Sequence, residues 1–210
     1  MGSLANNLTN MIASLPAIIV AITFHEVAHG YAAEAMGDDT AARARRLSLN
    51  PLKHIDPLGL LSMILFRFGW AKPVPINPNN FKDRRKGVLL VSLAGCGTNL
   101  ILAFISLAVI TVVQGFATPL LNQILYSFYI YNLIFGIFNL LPIPPLDGSH
   151  VLEQFLPPRA RMVYNQYARY GMFLLILMLW TGMIGGIIWP AINIADRFYK
   201  FLLAPLTGWF

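Results

Sequence analysis

Residues 88–113, with the sequence VLLVSLAGCGTNLILAFISLAVITVV, run for 26 positions without a charged side chain. About 20 apolar residues are enough for an α-helix to cross the hydrocarbon core of a bilayer, so this stretch is long enough to span a membrane. It lies inside a longer uncharged segment, residues 87–146. Sixty consecutive uncharged residues indicate a membrane protein and exclude a nucleic-acid-binding surface in this part of the chain.

The overall composition agrees with a membrane protein. Of the 210 residues, 57% are hydrophobic and 11% are charged, whereas about 25% of residues are charged in an average soluble domain. Ten of the fifteen Lys and Arg residues lie within residues 25–86, which by the positive-inside rule places that part at the cytoplasmic face. We therefore expect a multi-pass protein of the cell membrane, with the lipid bilayer and no nucleic acid as a partner. The single cysteine, Cys96, excludes an internal disulfide bond.

The spacing of apolar stretches predicts an all-α polytopic membrane protein with about five to six transmembrane or re-entrant helices. We expect a single domain over residues 1–210. Its spans are predicted at about residues 8–36, 88–113, 124–141 and 171–189. Gly37 should end the first span, and Gly185-Gly186 offers a break in the last. The pattern leaves open whether residues 190–210 cross the membrane.

Residues 40–86 differ in character from these spans. Prolines divide them into short apolar bursts, and residues 58–68 are too few to cross a bilayer unless they are tilted or re-entrant. Hydrophobic and polar residues alternate near residues 46–49 and 71–76, a pattern typical of strands. We therefore predict a small membrane-associated β element within residues 40–80.

The first predicted span contains residues 25–29, HEVAH. Two histidines four positions apart lie about 6 Å apart along one side of a helix, so both imidazoles can reach one ion. Glu26 is placed to take a proton from water at such an ion. A carboxylate inside a membrane costs about 2.5–3.5 kcal/mol to insert, so it needs a partner or a function. The alternative is a helix end at which His25, Glu26 and Glu34 lie in the interface.

A catalytic zinc site commonly needs a third protein ligand. The candidates are Asp147, His150, Glu153, His54 and Asp56. Asp147 is the first charged residue after the uncharged stretch and follows the proline-rich residues 142–145. Unwound backbone at membrane depth is tolerated where it is buried in protein or lines a wet cavity, so we expect this carboxylate to be a ligand. The alternative is that Asp147 caps a short helix beginning at Gly148. For His54, in a turn-rich stretch, we expect a structural hydrogen bond.

Residues 25–29 and residues 139–148, NLLPIPPLDG, together resemble the site-2 protease family of intramembrane zinc metalloproteases. The resemblance also includes residues 69–78 and 94–99 and covers most of residues 20–155. It implies that His25, His29 and Asp147 bind Zn²⁺ and that Glu26 activates water.

Further implications of the resemblance concern the substrate. Asn139 matches a family asparagine that steadies the substrate backbone or oxyanion; the alternative is that it only satisfies the broken helix. Residues 71–77 resemble the membrane-associated strand region of the family, which binds an unwound substrate by strand addition. The chain departs from the family at Cys96, where proline is usual, and it shows no PDZ-like insertion. A compact bacterial or archaeal form is therefore implied.

The function implied is that of a zinc metalloendopeptidase that cuts within or near transmembrane segments of substrate proteins, in regulated intramembrane proteolysis, with its active site toward the cytoplasmic side. Two alternatives stay open. One is a metal-binding membrane transporter, although neither an inverted repeat nor several ionisable groups at the membrane midplane are evident. The other is a different membrane metallohydrolase, such as a prenyl-protein protease, against which an aspartate as third ligand argues. The sequence identifies neither the substrate nor the oligomeric state.

Overall fold

The computed structural model describes residues 2–66, 69–113 and 115–207. This part of the chain forms nine α-helices, with short 3-10 helices at Pro51–Lys53 and Pro78–Asn80. The α-helices are α1 (Gly2–Ala35), α2 (Thr40–Arg43), α3 (Pro57–Phe66), α4 (Arg84–Val113), α5 (Pro119–Asn139), α6 (Asp147–Phe155), α7 (Pro158–Ala168), α8 (Gly171–Trp180) and α9 (Met183–Thr207). Residues 67–68, which end the predicted re-entrant stretch, and residues 208–210 lie outside the described residues.

Three helices are long and apolar enough to cross a membrane, namely Ser14–Ala35 of α1, α4 and α5. The central one is α4, because it packs against α1, α5, α6 and α9. One side of α4 exposes an apolar row made of Ile101, Ile105, Val109 and Val112. A row of this kind, with its members three or four positions apart, suits contact with lipid better than contact with water.

The last two helices, α8 and α9, meet at a bend of 82° and together count as one further candidate span. Gly182 lies in the bend with φ +76°, a left-handed conformation that favours glycine. The break therefore falls at Gly182, whereas the predicted Gly185-Gly186 pair lies within α9. The described residues thus hold three candidate spans, or four with the bent pair. The prediction of five to six transmembrane or re-entrant helices is not confirmed.

Polar contacts and an apolar cluster hold α9 against α4 and α5. The hydroxyl of Tyr129 donates to Asp196 Oδ1 at 2.7 Å, and Lys200 Nζ lies 2.8 Å from Asp196 Oδ2. The hydroxyl of Tyr199 donates to the Leu100 carbonyl at 3.0 Å. Around these contacts the buried core joins α4, α5, α8 and α9 through residues such as Leu107, Leu133, Leu175, Ile188 and Leu203.

Residues 36–83 leave and re-enter the helix layer at the same face. Gly37, with φ +108°, ends α1, and its amide donates to the Glu34 carbonyl at 3.0 Å. This left-handed glycine just after a helix is a common helix stop. The Lys82 amide donates to the Met36 carbonyl at 3.0 Å, next to the start of α4. The end of α1 and the beginning of α4 are therefore neighbours.

The predicted β element is reduced to one isolated antiparallel bridge, between Ile55 and Ala71, in the described part of residues 40–80. The Lys72 amide extends this contact by donating to the His54 carbonyl at 2.9 Å. Beyond it, residues 72–77 have no regular secondary structure. Prolines at positions 73 and 75 have no amide hydrogen and so cannot contribute to a ladder. A β element is therefore not confirmed.

Candidate metal centre

The side chains of His25, His29 and Asp147 converge on one point, although Asp147 is far from the histidines in the chain. Asp147 Oδ2 lies 3.1 Å from His25 Nε2 and 3.3 Å from His29 Nε2. The two Nε2 atoms are 3.0 Å apart. Both histidines are buried. Among the described residues these three form the cluster that could hold a metal ion.

The other ring nitrogen of each histidine is held by an oxygen atom. His25 Nδ1 donates to Asn99 Oδ1 at 2.7 Å, and His29 Nδ1 donates to the Val91 carbonyl at 2.7 Å. A carbonyl oxygen cannot donate, so both Nδ1 atoms carry the hydrogen. In the neutral imidazole, Nε2 then has a lone pair free to bind a cation. Anchors of this kind also fix the ring orientation of metal-binding histidines.

This donor set fits a divalent cation. With both rings neutral, two nitrogen lone pairs and a carboxylate oxygen face one another at 3.0–3.3 Å. A cation between the three donors would replace the repulsion between these lone pairs by attraction to the ion. Two imidazoles and a carboxylate are ligands that zinc accepts, and three protein ligands leave a position for water or substrate.

The helix α4 approaches the two imidazoles very closely at Gly95. A Cβ atom on Gly95 would lie 2.6 Å from His29 Nε2 and 2.7 Å from His25 Cε1. The next residue, Cys96, is buried, and its Sγ donates to Asp147 Oδ2 at 3.5 Å. The space for the two rings therefore depends on the absence of a side chain at position 95, and the thiol contacts a candidate ligand.

Asp147 is positioned by the turn between α5 and α6. Residues 140–146, which include three prolines, form turns, and α6 begins at Asp147 with Leu146 as its N-cap. Asp147 therefore does not act as the helix cap that the sequence also allowed. A Cβ on Gly148 would lie 2.1 Å from the Leu140 carbonyl oxygen. The chain can fold back over its own turn there because residue 148 is glycine.

Glu26, beside His25 on α1, contacts the irregular segment of residues 71–77. The Val74 amide donates to Glu26 Oε2 at 2.9 Å. Three residues later, the Asn77 amide donates to Asp38 Oδ2 at 2.7 Å. Two acidic side chains, Glu26 and Asp38, thus fix the segment at two of its amides.

Asp38 is the more deeply buried of these two anchors, with no exposed surface. Its carboxylate also accepts hydrogen bonds from the Thr40 hydroxyl and from the Asn80 side-chain amide. Burial acts to raise the pKa of Asp38, but the hydrogen bonds from Thr40, Asn77 and Asn80 outweigh it and hold the pKa below its usual range. Asp38 is therefore a charged structural anchor at neutral pH.

Asn139, the last residue of α5, was predicted to steady the substrate. Its side-chain amide donates to the Phe135 carbonyl, four residues earlier, at 3.1 Å. This bond fits the alternative in which the asparagine satisfies the end of the helix. A role toward substrate stays a prediction.

The other candidates for a third ligand have different surroundings, and none belongs to the cluster found among the described residues. His54 is fully buried and donates from Nε2 to the Ser48 carbonyl at 2.7 Å. Asp56 Oδ1 accepts from two backbone amides at the start of α3. Glu153 Oε1 accepts from the Asn165 side chain, and His150 is exposed.

Sequence reasoning assigned no role to Asn99 or Asn132, which support the histidines. Both are fully buried. Asn99 Nδ2 donates to the Ala21 carbonyl at 3.0 Å and to Asn132 Oδ1 at 2.9 Å, and Asn132 Nδ2 donates to the Phe128 carbonyl. An amide side chain in an apolar span is costly unless it has partners. The presence of two asparagines in apolar spans was therefore the sequence feature that could have indicated their supporting role.

Comparisons with known proteins identify relatives among the metallopeptidases. Residues 116–181 match the model of peptidase family M50. YwhC of Bacillus subtilis, which carries the provisional name of a zinc metalloprotease, is 39% identical over 183 residues, or 84% of each chain. Rip2 of Mycolicibacterium smegmatis, named in the same provisional way, is 29% identical over 83% of this chain and 66% of its own. Rip2 of Mycobacterium tuberculosis strain H37Rv is 31% identical over 77% of this chain and 64% of its own. No solved structure matches.

Proposed function

Because the chain belongs to the site-2 protease family, peptidase family M50, we propose that it is an intramembrane zinc metalloprotease that cuts within or near transmembrane segments of other proteins. The observation that carries the proposal is the convergence of two imidazoles and a carboxylate on one point. Glu26 lies next to them in the same helix. The process served would be regulated intramembrane proteolysis.

The metal would be held by His25 and His29 through Nε2 and by Asp147 through its carboxylate. When bound, zinc would polarise the scissile carbonyl and make a water molecule a better nucleophile at neutral pH. The hydrogen bonds from both Nδ1 atoms orient the rings and leave Nε2 of each neutral imidazole available for this ligation. Burial of both histidines limits competing water.

Glu26 would act as the general base and then as the general acid. Its carboxylate takes the proton of the attacking water and gives it to the leaving amine. The Val74 amide, which donates to Glu26 Oε2, orients this carboxylate. The same hydrogen bond links the proton-transferring residue to the segment that would receive the substrate.

The substrate would be a transmembrane helix of another protein, unwound where it is cut. Intrahelical hydrogen bonds shield the carbonyls of an intact helix, so unwinding must precede hydrolysis. Residues 71–77 would bind the unwound strand by main-chain pairing. Glu26 and Asp38 hold this segment in place at the amides of Val74 and Asn77. Because residues 73 and 75 are prolines, the pairing would rely mainly on main-chain carbonyls of the segment. Asn139 would contact the substrate backbone or oxyanion.

The orientation in the membrane follows from charge. Ten of the fifteen Lys and Arg residues lie within residues 25–86, and residues 36–83 begin and end at one face of the helix layer. By the positive-inside rule, that face is cytoplasmic, and the site would open toward it.

The test compares zinc content and cleavage in three variants of the purified protein. Glu26→Gln should retain zinc and lose cleavage of a model single-span substrate by roughly 10²–10⁴-fold, the usual contribution of general acid–base catalysis. Asp147→Ala should lose both zinc and cleavage. Glu34→Gln, an exposed position on the same helix, is the matched control and should change neither.

The same variants separate the alternatives. A transporter would keep metal flux in Glu26→Gln, and a prenyl-protein protease would cut a prenylated peptide in preference to a membrane-spanning one. Wild-type protein that is free of zinc and still cleaves, or an Asp147→Ala variant with full zinc content, would contradict the proposal.

A further inference from the structure

A second site lies on the face formed by residues 36–83, outside the metal centre. It is an open pocket of about 750 Å³, and none of the three converging residues lines it. The basic residues Arg45, Arg46, Lys53 and Lys72 line it together with one acidic residue, Asp56. With these groups ionised, the lining has a net charge of +3. The pocket is therefore an electrostatic site for an anion.

The positive charges of this pocket are not neutralised by carboxylates. Arg46 Nη2 donates to the Lys72 carbonyl at 2.8 Å, and Lys53 Nζ donates to the Arg45 carbonyl at 2.8 Å. Both acceptors are uncharged. In the described part of the chain, none of the four basic side chains forms an ion pair.

The one acidic residue in the lining is engaged elsewhere. Asp56 Oδ1 accepts from the amides of Leu58 and Gly59, at 2.8 and 2.9 Å, at the start of α3. Its position at that helix start explains its presence among the cations. The excess positive charge of the pocket is left for a ligand.

A buried polar atom points to the same kind of ligand. Arg46 Nε is buried, and none of the described residues offers it a hydrogen-bond acceptor. A buried charged donor without an acceptor is costly. Because the same guanidinium lines the pocket, an anionic oxygen bound there would offset the charge of this group. Phosphate oxygens match the planar fork of an arginine.

The rim of the pocket indicates which kind of phosphate-containing ligand would fit. Leu52, which also lines the pocket, is 78% exposed, and the nearby Leu49 and Leu58 are 58% and 68% exposed. Exposed leucines beside a cationic patch are typical of a surface that lies at a membrane interface. The apolar helix α3 follows directly. A ligand with a phosphate and acyl chains can contact both the basic side chains and the exposed leucines, whereas free phosphate can contact only the basic side chains.

We propose that this pocket binds the phosphate of an anionic phospholipid headgroup, with Leu52 in contact with its acyl chains. The lipid would bridge residues 44–57 and Lys72, the two stretches that meet at the Ile55–Ala71 bridge. Lys72 lies two residues before Val74, whose amide holds Glu26. The bound lipid would therefore fix the near end of the segment whose Val74 amide holds Glu26.

The experiment titrates the full-length protein, in an uncharged detergent, with dioleoyl phosphatidylglycerol or dioleoyl phosphatidylcholine and counts bound lipid by native mass spectrometry. We expect phosphatidylglycerol to be retained in preference to phosphatidylcholine. Arg46→Gln with Lys72→Gln should weaken retention of phosphatidylglycerol by about tenfold or more, because each basic residue near an anionic lipid contributes to the free energy of lipid binding. Inorganic phosphate at millimolar concentration should not displace the lipid.

Two further variants make the result specific. Lys82→Gln with Arg84→Gln removes one lysine and one arginine from exposed positions outside the pocket and should retain the wild-type preference. Arg45→Gln with Lys72→Gln replaces the first variant if the loss of Arg46 disturbs folding, as judged by thermal unfolding.

The proposal would be overturned by any of three results. Equal loss in the pocket variants and in the Lys82/Arg84 control would mean that only total charge matters. Equal retention of the two lipids would mean that the headgroup is not recognised. Displacement of the lipid by inorganic phosphate would mean a site for a soluble anion.

Discussion

Asn99 Oδ1 lies 2.7 Å from Nδ1 of His25, and the orientation of its amide group is fixed. Asn99 Nδ2 donates to the Ala21 carbonyl and to Asn132 Oδ1. Because the nitrogen is committed to these two acceptors, the oxygen must face His25. This fixes the hydrogen of His25 on Nδ1 and directs the lone pair of Nε2 toward Asp147. Asn99 on α4 thus determines which ring nitrogen of His25, on α1, carries the hydrogen in the neutral imidazole.

The first prediction concerns this anchor. Replacement of Asn99 by alanine removes the acceptor of His25 Nδ1 and the donor that reaches the Ala21 carbonyl and Asn132 Oδ1. Loss of such a supporting hydrogen bond typically weakens metal affinity by about 10–100-fold. The measurement is zinc retention against a chelator of known affinity.

Asn193→Ala is the control for this variant, because Asn193 is an exposed residue of α9 and its loss should leave zinc affinity unchanged. If Asn99→Ala retained zinc as tightly as the wild type, the asparagine would have only a packing role.

The second prediction concerns the closest approach of α4 to the histidines. In Gly95→Ala, the new Cβ would lie 2.6 Å from His29 Nε2, so the imidazoles or the helices must move. We expect zinc affinity to fall by at least about tenfold and stability to fall by about 1–3 kcal/mol, as in other overpacked sites. Zinc content and thermal unfolding are the two readouts.

The matched control is Gly97→Ala, two positions along the same helix. A Cβ on Gly97 meets no atom within 4 Å among the described residues. Alanine also favours helix more than glycine does, so this variant should keep zinc and be at least as stable as the wild type. Similar damage in both variants would show that glycine matters for the helix and not for the metal centre.

The third prediction separates the thiol of Cys96 from the proposed ligands. Its Sγ contacts Asp147 Oδ2 at 3.5 Å, but the three converging donors are His25, His29 and Asp147. Cys96→Ala should therefore keep the wild-type zinc content while losing about 1 kcal/mol of stability through the small buried cavity. A variant without zinc would identify the thiol as a ligand.

Local patterns in the sequence anticipated the candidate metal centre. The spacing of His25 and His29 follows directly from helix geometry, and the hydrophobicity of the surrounding residues places them in a span. Asp147 stands out because it ends a long uncharged stretch in a proline-rich turn. These features depend on near neighbours in the chain, and the structure brings the three side chains together.

Some of the features that sequence reasoning did not anticipate depend on distant contacts. The anchor of His29 is a backbone carbonyl, that of Val91, which has no signature in the identity of a side chain. The strand-like alternation near residues 71–76 ends in a single bridge because two prolines lack amide hydrogens. The break of the last span falls at Gly182, which has a positive φ, and not at Gly185-Gly186, which lies within α9.

The fourth prediction concerns the pH dependence of stability at Asp38. The hydrogen bonds from Thr40, Asn77 and Asn80 outweigh burial and lower the pKa of Asp38, so the folded state favours its charged form. Its contribution to stability is therefore complete above the unfolded pKa of about 3.9 and is lost as the pH falls through the lower, folded value. Asp38→Asn should lose about 2 kcal/mol or more at pH 7, because a carboxylate with several donors is replaced.

Thermal unfolding in detergent between pH 7 and pH 3 tests whether charged Asp38 stabilises the fold and at which pH that stabilisation is lost. The difference in unfolding temperature between the wild type and Asp38→Asn should stay constant from pH 7 to about pH 5 and should narrow below about pH 4. Asp39→Asn is the control: Asp39 is exposed and pairs with Arg43, an arrangement that contributes little. A difference that widened on acidification would mean that Asp38 is neutral in the folded protein, and its role as a charged anchor of residues 71–77 would have to be abandoned.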